Sequence, residues 1–341
     1  EKTGHIDFNV GFKKIAFLTG ITYSDFDDLR MGSVGHDEYR RYEYIDTDKN
    51  DIAIQNSDPD IQKFSGYDQL NLTQKIRFKP NDKWDLIYGF YFSETSDVPR
   101  YDRLLQYTDD DNLKYAEWYY GPQKWKMHSL TLKYQKSNKL FDNVRFLSAY
   151  QDYTESRHDR KTGNNEIRSR TENVKIISNN LDFEKKLKKG ASVYYGTEAF
   201  YNKIYSDGII KNLTDLTETP TSSRYPDKSH YMSFAVYSAY KRNLNKRLTL
   251  NTGLRYNRVL ARADLDTSYF EFPFNSLFLN TGALNGSLGI IFKPETWQIS
   301  LNASSGFRAP NIDDLAKVFD SEPGYVIVPN DKLNPEIAYN L

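Results

Sequence analysis

Leu248-Thr249-Leu250-Asn251-Thr252-Gly253-Leu254-Arg255-Tyr256-Asn257 sets Leu248, Leu250, Thr252, Leu254 and Tyr256 on one side of an extended chain. Thr249, Asn251, Gly253, Arg255 and Asn257 fall on the other. Successive side chains of a strand point to opposite faces, so this alternation predicts a strand with one apolar and one polar face. Trp297-Gln298-Ile299-Ser300-Leu301-Asn302-Ala303-Ser304 repeats the pattern. So does the stretch in which Trp84, Leu86, Tyr88, Phe90 and Phe92 oppose Asp85, Gly89 and Ser93. Further copies begin near Ile6, Ile15, Leu70, Leu130, Val144, Val193, Met232 and Leu284. The pattern yields about twelve strands, with a thirteenth opening near Ala338. The 27 Tyr and 20 Phe fit pleated surfaces, and the fold class is all-β.

The connections alternate as regularly as the strands. Short turns fall at Lys13-Lys14, Lys79-Pro80-Asn81-Asp82, Lys136-Ser137-Asn138, Lys185-Lys186-Leu187, Arg242-Asn243-Leu244-Asn245 and Lys293-Pro294-Glu295. Between them lie long polar stretches, placed at residues 25–63, 95–125, 154–168, 205–229, 260–281 and 307–337. Soluble domains rarely carry loops beyond about 15 residues. Bacterial outer-membrane barrels combine short periplasmic turns, long extracellular loops and aromatic girdles at both interfaces. Trp84 and Trp297 lie near short turns, and Tyr23, Phe92, Tyr150 and Tyr256 near long ones. An antiparallel transmembrane β-barrel is therefore expected, in preference to a soluble sandwich, whose buried faces would tolerate fewer Gly, Asn, Lys and Arg opposite the apolar rows. A single-chain bacterial barrel closes with an even number of strands, so closing strands are expected outside residues 1–341.

Composition removes other classes. Lys and Arg number 46 and Asp and Glu 46, which leaves no positive field for nucleic acid. The mean hydropathy of -0.73 argues against helical membrane spans. Without cysteine there are no disulfides and no thiolate-held zinc or iron–sulfur sites. The start at Glu1 shows no charged segment followed by an apolar core, and Asn340-Leu341 stop inside a new element. A segment of a longer chain is expected.

Ser305-Gly306-Phe307-Arg308-Ala309-Pro310-Asn311, followed by Val328-Pro329-Asn330-Asp331-Lys332-Leu333-Asn334-Pro335-Glu336 and Asn340, resembles a two-box signature of TonB-dependent outer-membrane receptors. A Phe-Arg-Ala-Pro box opens a long loop, and an Asn-Pro-x-Leu-x-Pro-Glu-like box closes it. Three further stretches resemble the Bacteroidetes type: Tyr23-Ser24-Asp25-Phe26 with Asp28-Leu29-Arg30-Met31-Gly32, Gln74-Lys75-Ile76-Arg77-Phe78-Lys79-Pro80, and Gly121-Pro122-Gln123-Lys124-Trp125. The resemblance covers nearly all of residues 1–341, read as one barrel unit. It implies a 22-stranded barrel filled by a plug, and active import of a scarce ligand (a ferric siderophore, haem or a cobalamin-like molecule) driven by TonB through that plug. It further implies the bacterial outer membrane, its lipids as partners and no catalysis; in some relatives a surface lipoprotein caps the mouth. The plug, the TonB box and the closing strands are not in this sequence. Pro310 and Pro335 lack backbone donors and suit strand ends. Arg308 can tie the wall to loop carbonyls or a carboxylate, a structural role shared with Phe307, Ala309, Asn334 and Glu336. A passive porin-like pore and a soluble β-rich binding or adhesion domain are the competing readings.

Candidate ligand contacts lie in the outer loops. Arg100, Tyr101, Arg103, Tyr107, Trp118, Tyr119 and Tyr120 place aromatic faces beside cations, which suits a planar or anionic cargo. His36 and His158 could ligate haem iron, as could Tyr325, whereas the His that some haem receptors carry between the two boxes is missing here. Asp46, Asp48 and Asn50 imitate the opening ligands of an EF-hand and offer oxygens suited to Ca2+. The imitation ends at Asp51, which replaces the turn Gly, and at Ser57, which replaces the bidentate Glu. No cofactor is required by this reading. Ser156, His158 and Asp159 are sequence neighbours without a Gly-framed nucleophile, which gives no basis for a hydrolase.

Overall fold

The computed structural model describes residues 1–32, 34–317, 319–322 and 325–341, with backbone alone at 49, 319–322 and 325–327. Thirteen strands form one antiparallel wall in which each pairs with the next. They are β1 (Lys2–Gly11), β2 (Ile15–Phe26), β3 (Tyr67–Phe78), β4 (Trp84–Thr95), β5 (Lys124–Gln135), β6 (Asn143–Lys161) and β7 (Glu166–Lys186). β8 (Ala191–Asn212), β9 (Ser229–Asn243), β10 (Leu248–Asp264), β11 (Ser276–Phe292), β12 (Ile299–Arg308) and β13 (Glu336–Asn340) complete it. β1 and β13 end the path. The thirteenth strand begins two residues before the expected Ala338.

The register carries the apolar alternation across the wall. Cross-strand partners share a face, so Leu132, Phe146, Leu181, Thr197, Val236, Tyr256 and Leu284 form one outward row. Outward side chains stay uncovered: Phe8 is 61%, Leu284 68% and Leu301 69% exposed. A soluble protein does not leave so wide an apolar face bare, and a lipid-facing wall must. Near the short turns Trp84 packs on Tyr134 (4.5 Å) and Phe183 on Tyr195 (4.9 Å), an aromatic girdle where one is expected. Inward positions are polar and paired, as in Arg145 with Asp182 (2.8 Å) and Arg255 with Glu198 (2.7 Å).

One expected loop is not a loop. Residues 154–168 belong to β6 and β7, which run on to a turn at 162–165, where Gly163 takes φ +72°. Above the membrane both faces meet water or polar loops, so the apolar alternation disappears although the ladder continues. The loop bounds at 205–229 and 260–281 shrink for the same reason, to 213–228 and 265–275. With about 3.4 Å of rise per residue and about ten residues needed to cross, β6, β7 and β8 project well beyond the bilayer.

The remaining loops fold against these projections. The loop at 309–335 opens with helix α2 (Ile312–Ala316), capped reciprocally by Asn311 and Asp314. Ile312, Leu315 and Ala316 bury against Val259, Ala261 and Ala263 of β10 and Leu277 and Leu279 of β11. The chain at 221–222 crosses Gly208 so closely that a Cβ there would meet the Thr221 carbonyl at 2.6 Å. Tyr225 donates to Asp313 Oδ1 (2.6 Å), which joins this loop to α2.

Candidate functional site

The strand Tyr115–Tyr120 docks on the projecting half of β6 and alternates across it. Tyr120 lies opposite Arg157 and Trp118 opposite Asp159, on the inward face. Tyr119 lies opposite His158 on the other face. The structure therefore gathers Arg100, Trp118 and Tyr120 and turns Tyr119 and His158 away from them.

Arg100 precedes the short helix α1 (Tyr101–Leu104), and its backbone N–H bonds the Trp118 carbonyl (2.8 Å). Its guanidinium donates to the Tyr120 hydroxyl (2.5 Å) and to Asp102 Oδ1 (2.6 Å). It stands 5.1 Å from the Trp118 ring and 5.3 Å from the Tyr120 ring. Arg157 stands 5.4 Å from the Tyr120 ring, so one phenol carries two cations, a geometry suited to cation–π attraction. Below them a concavity of about 260 Å³ is lined by Tyr67, Gln69, Tyr120, Trp125 and Tyr153. Arg157, Tyr153, Trp125 and Glu172 were not legible as site residues, because all four lie on strand positions whose inward direction depends on register. Glu172 is 2% exposed and faces Glu155 across the ladder. Burial, then the Glu155 carboxylate, pushes its carboxyl up to about 8. The Arg157 Nη1 stops 3.9 Å from it, beyond hydrogen-bond reach.

The other expected contacts are dispersed. Arg103 and Tyr101 lie on α1, Arg103 with its Nε 4.0 Å from Asp102 and Tyr101 largely exposed. Tyr107 bridges to Leu113 at the foot of that loop. His36 is exposed and meets Tyr39 edge-on at 6.1 Å. His158 stacks on Tyr119 (4.6 Å), and its ring nitrogens contact Ser169 Oγ (2.8 Å) and Ser156 Oγ (2.9 Å). The Ser156 hydroxyl donates to the Gly121 carbonyl (2.7 Å), so its oxygen accepts from the imidazole and is not poised as a nucleophile. Burial lowers the His158 pKa, which favours the neutral ring. The Tyr325 side chain lies outside the described residues.

Asp46 Oδ1 accepts the Asp48 N–H (3.1 Å), and Asn50 closes that turn in the left-handed region at φ 58°. Asp51 grips Arg160 (2.6 Å) and the Gly163 N–H (2.9 Å) instead, and these contacts hold its carboxyl below the usual range. Among the described residues no three His, Cys, Asp or Glu side chains gather as a metal site.

The two boxes meet through Arg308. It donates to Asp314 Oδ2 (2.8 Å) and Glu336 Oε1 (2.8 Å), while Phe307 pairs in register with Ile337 and packs with Ala309 on the α2 cluster. Pro310 is buried, Pro335 half-buried and Asn334 exposed beside the start of β13. Residues 87–341 match the family model described as TonB dependent receptor-like, beta-barrel. The chain belongs to that family.

Solved structures of such receptors share its fold. The copper transporter OprC superposes with a TM-score of 0.69 at 9% identity, over 92% of this chain and 44% of its own. The Serratia marcescens hemophore receptor HasR, a double mutant solved with its hemophore HasA and heme, gives 0.63 at 13% identity, over 99% and 47%. The siderophore receptor PiuA of Acinetobacter baumannii gives 0.62 at 14% identity, over 99% and 51%. This chain thus spans about half the length of the receptors it resembles. No curated protein sequence matches it.

Proposed function

We propose that this chain is the wall of an outer-membrane importer that takes up an anionic chelate with planar, conjugated groups. A ferric siderophore of catecholate type fits best, ahead of haem, whose propionates are anionic, and of a corrinoid, which lacks that charge. The observation that carries the reading is the inward cluster of Arg100, Trp118, Tyr120 and Arg157, whose flat rings and guanidinium groups complement a planar anion. Passage would follow the polar inner wall once TonB displaces a plug lying outside residues 1–341.

The test uses the complete receptor in cells that lack other iron importers. Iron accumulation from a ferric catecholate should depend on TonB and fall at least about tenfold when Arg100 and Trp118 are both replaced by Ala, the loss expected when two contacts of about 0.7 kcal/mol each disappear. Uptake that persists without TonB, or steady ion conductance of the receptor in a planar bilayer, would favour a passive pore. Undiminished uptake by the double variant would remove this cluster from the site.

A further inference from the structure

Arg157 stands between two carboxylates and satisfies one of them. Its Nη2 donates to Glu155 Oε1 (2.8 Å), while Glu155 Oε2 accepts from the Tyr153 hydroxyl (3.0 Å). The Nε and Nη1 of the same guanidinium are buried, and so are both carboxyl oxygens of Glu172. Among the described residues none of these four atoms has a hydrogen-bond partner, although Nη1 and Glu172 Oε2 face each other at 3.9 Å. Buried donors and acceptors left empty keep their desolvation cost, and here they lie on opposite sides of one gap. A shift of about 1 Å would close that gap into a charge-assisted bond. The same side chains therefore have a second arrangement within reach.

The charges around Glu172 show what holds the first one. Glu155 is its direct partner across the ladder on β6, so two carboxylates compete for one cation. On its own strand Arg170 lies two positions away and donates to the Ser222 carbonyl (3.0 Å). β8 sets Ser206 opposite Glu172, and Asp227 accepts the Ser206 N–H (3.1 Å). Burial, then Glu155, pushes the Glu172 carboxyl up to about 8, against the pull of Arg170 and Ser206. With Glu172 protonated, Glu155 and Arg157 balance each other 5.4 Å from the Tyr120 ring. Once it ionises, the three groups carry one net negative charge beside the ring that would receive an anion.

We infer that Glu172 is a positioning residue for Arg157, and that the site captures anionic cargo while Glu172 keeps its proton. Release of that proton to solvent turns Arg157 toward Glu172 and makes the cluster repel the cargo, so anion and proton each strengthen the binding of the other. The inference rests on the cargo reading given above and adds a proton to it.

The complete receptor in detergent would be titrated with an iron(III) tris-catecholate on one hexadentate scaffold, an anion whose own charge is constant between pH 6.5 and pH 9. Its affinity should fall at least about fivefold over that range. E172Q has no proton to release there and should bind equally at both ends. E155Q leaves Glu172 in place but removes its like-charged neighbour and its rival for Arg157, so the fall should come at lower pH. A flat native affinity, a fall that is the same in E172Q, or one that E155Q does not move would overturn the inference and leave the cargo reading intact. R100A/W118A tests that reading in the same assay, because it should weaken binding at both pH values. A native receptor that binds the probe at neither pH would overturn both.

Discussion

The two sides of the barrel mouth are held by different chemistries. On the β10–β12 side, α2 sinks Ile312 and Leu315 into a cluster of Val, Ala and Leu, and polar contacts such as Tyr225 with Asp313 lie at its margin. On the β4–β7 side the apolar contact is small, Ile45 with Leu113 and Ala116, and the loops are tied by ions. Arg160 is 6% exposed and holds Asp51 of one loop and Glu117 of another, which fixes residues 27–66 and 96–123 to the β6–β7 hairpin. Apolar packing is not screened by simple salts such as NaCl and does not titrate, whereas a buried ion network needs every partner in place. The ligand cluster lies on the ionic side, so the half of the mouth that would meet cargo is also the half whose order depends on charge.

That contrast can be broken most forcefully at Arg160. Arg160→Met leaves Asp51 and Glu117 without their cation, and removing one partner of a buried pair costs about 3–5 kcal/mol. Hydrogen exchange should show residues 43–55 opening together while α2 keeps its protection; unchanged exchange in that loop would contradict the ionic tie. Leu315→Ala should cost about 2–4 kcal/mol through transfer and cavity terms, open α2 alone, and do so equally at low and high salt. A salt-dependent loss there would erase the distinction between the two sides.

A subtler test uses Glu172. Its folded carboxyl titrates at about 8 against an ordinary value of 4.5, so between those limits the unfolded chain has released the proton and the folded chain has not. Stability contributed by the protonated group is therefore complete below 4.5 and is lost as pH rises toward 8. Glu172→Gln should flatten this slope, seen as a smaller drop in melting temperature from pH 5 to pH 8 than in the native receptor. An identical slope in both would show that Glu172 is not the titrating group.

What was legible in the sequence follows the same physics. Lipid on one side and water on the other imposed the alternation at Leu248–Asn257 and Trp84–Phe92, and there strands, turns and girdle residues could be placed directly. Where β6 and β7 leave the bilayer the solvent contrast vanishes, so 154–168 reads as loop and Arg157 and Glu172 disappear from view. Arg100, Trp118 and Tyr120 were visible as an aromatic and basic run, yet only the docking of Tyr115–Tyr120 on β6 separates them from Tyr119. Arg308 reaches Asp314 six residues on and Glu336 28 residues on, and sequence limited its partner to some carboxylate or carbonyl.

The account stands on the two faces of the wall, and Ala283 and Leu284 test them side by side. Residues 1–341 hold no cysteine, so Ala283→Cys and Leu284→Cys can each carry one fluorophore in the complete receptor, cleared of any cysteine elsewhere and reconstituted with brominated lipids. Leu284, outward and 68% exposed, should be quenched strongly and Ala283, its inward neighbour, should not. Equal quenching at both positions, or none at either, would contradict a membrane-spanning wall with a lipid face and a lumen face.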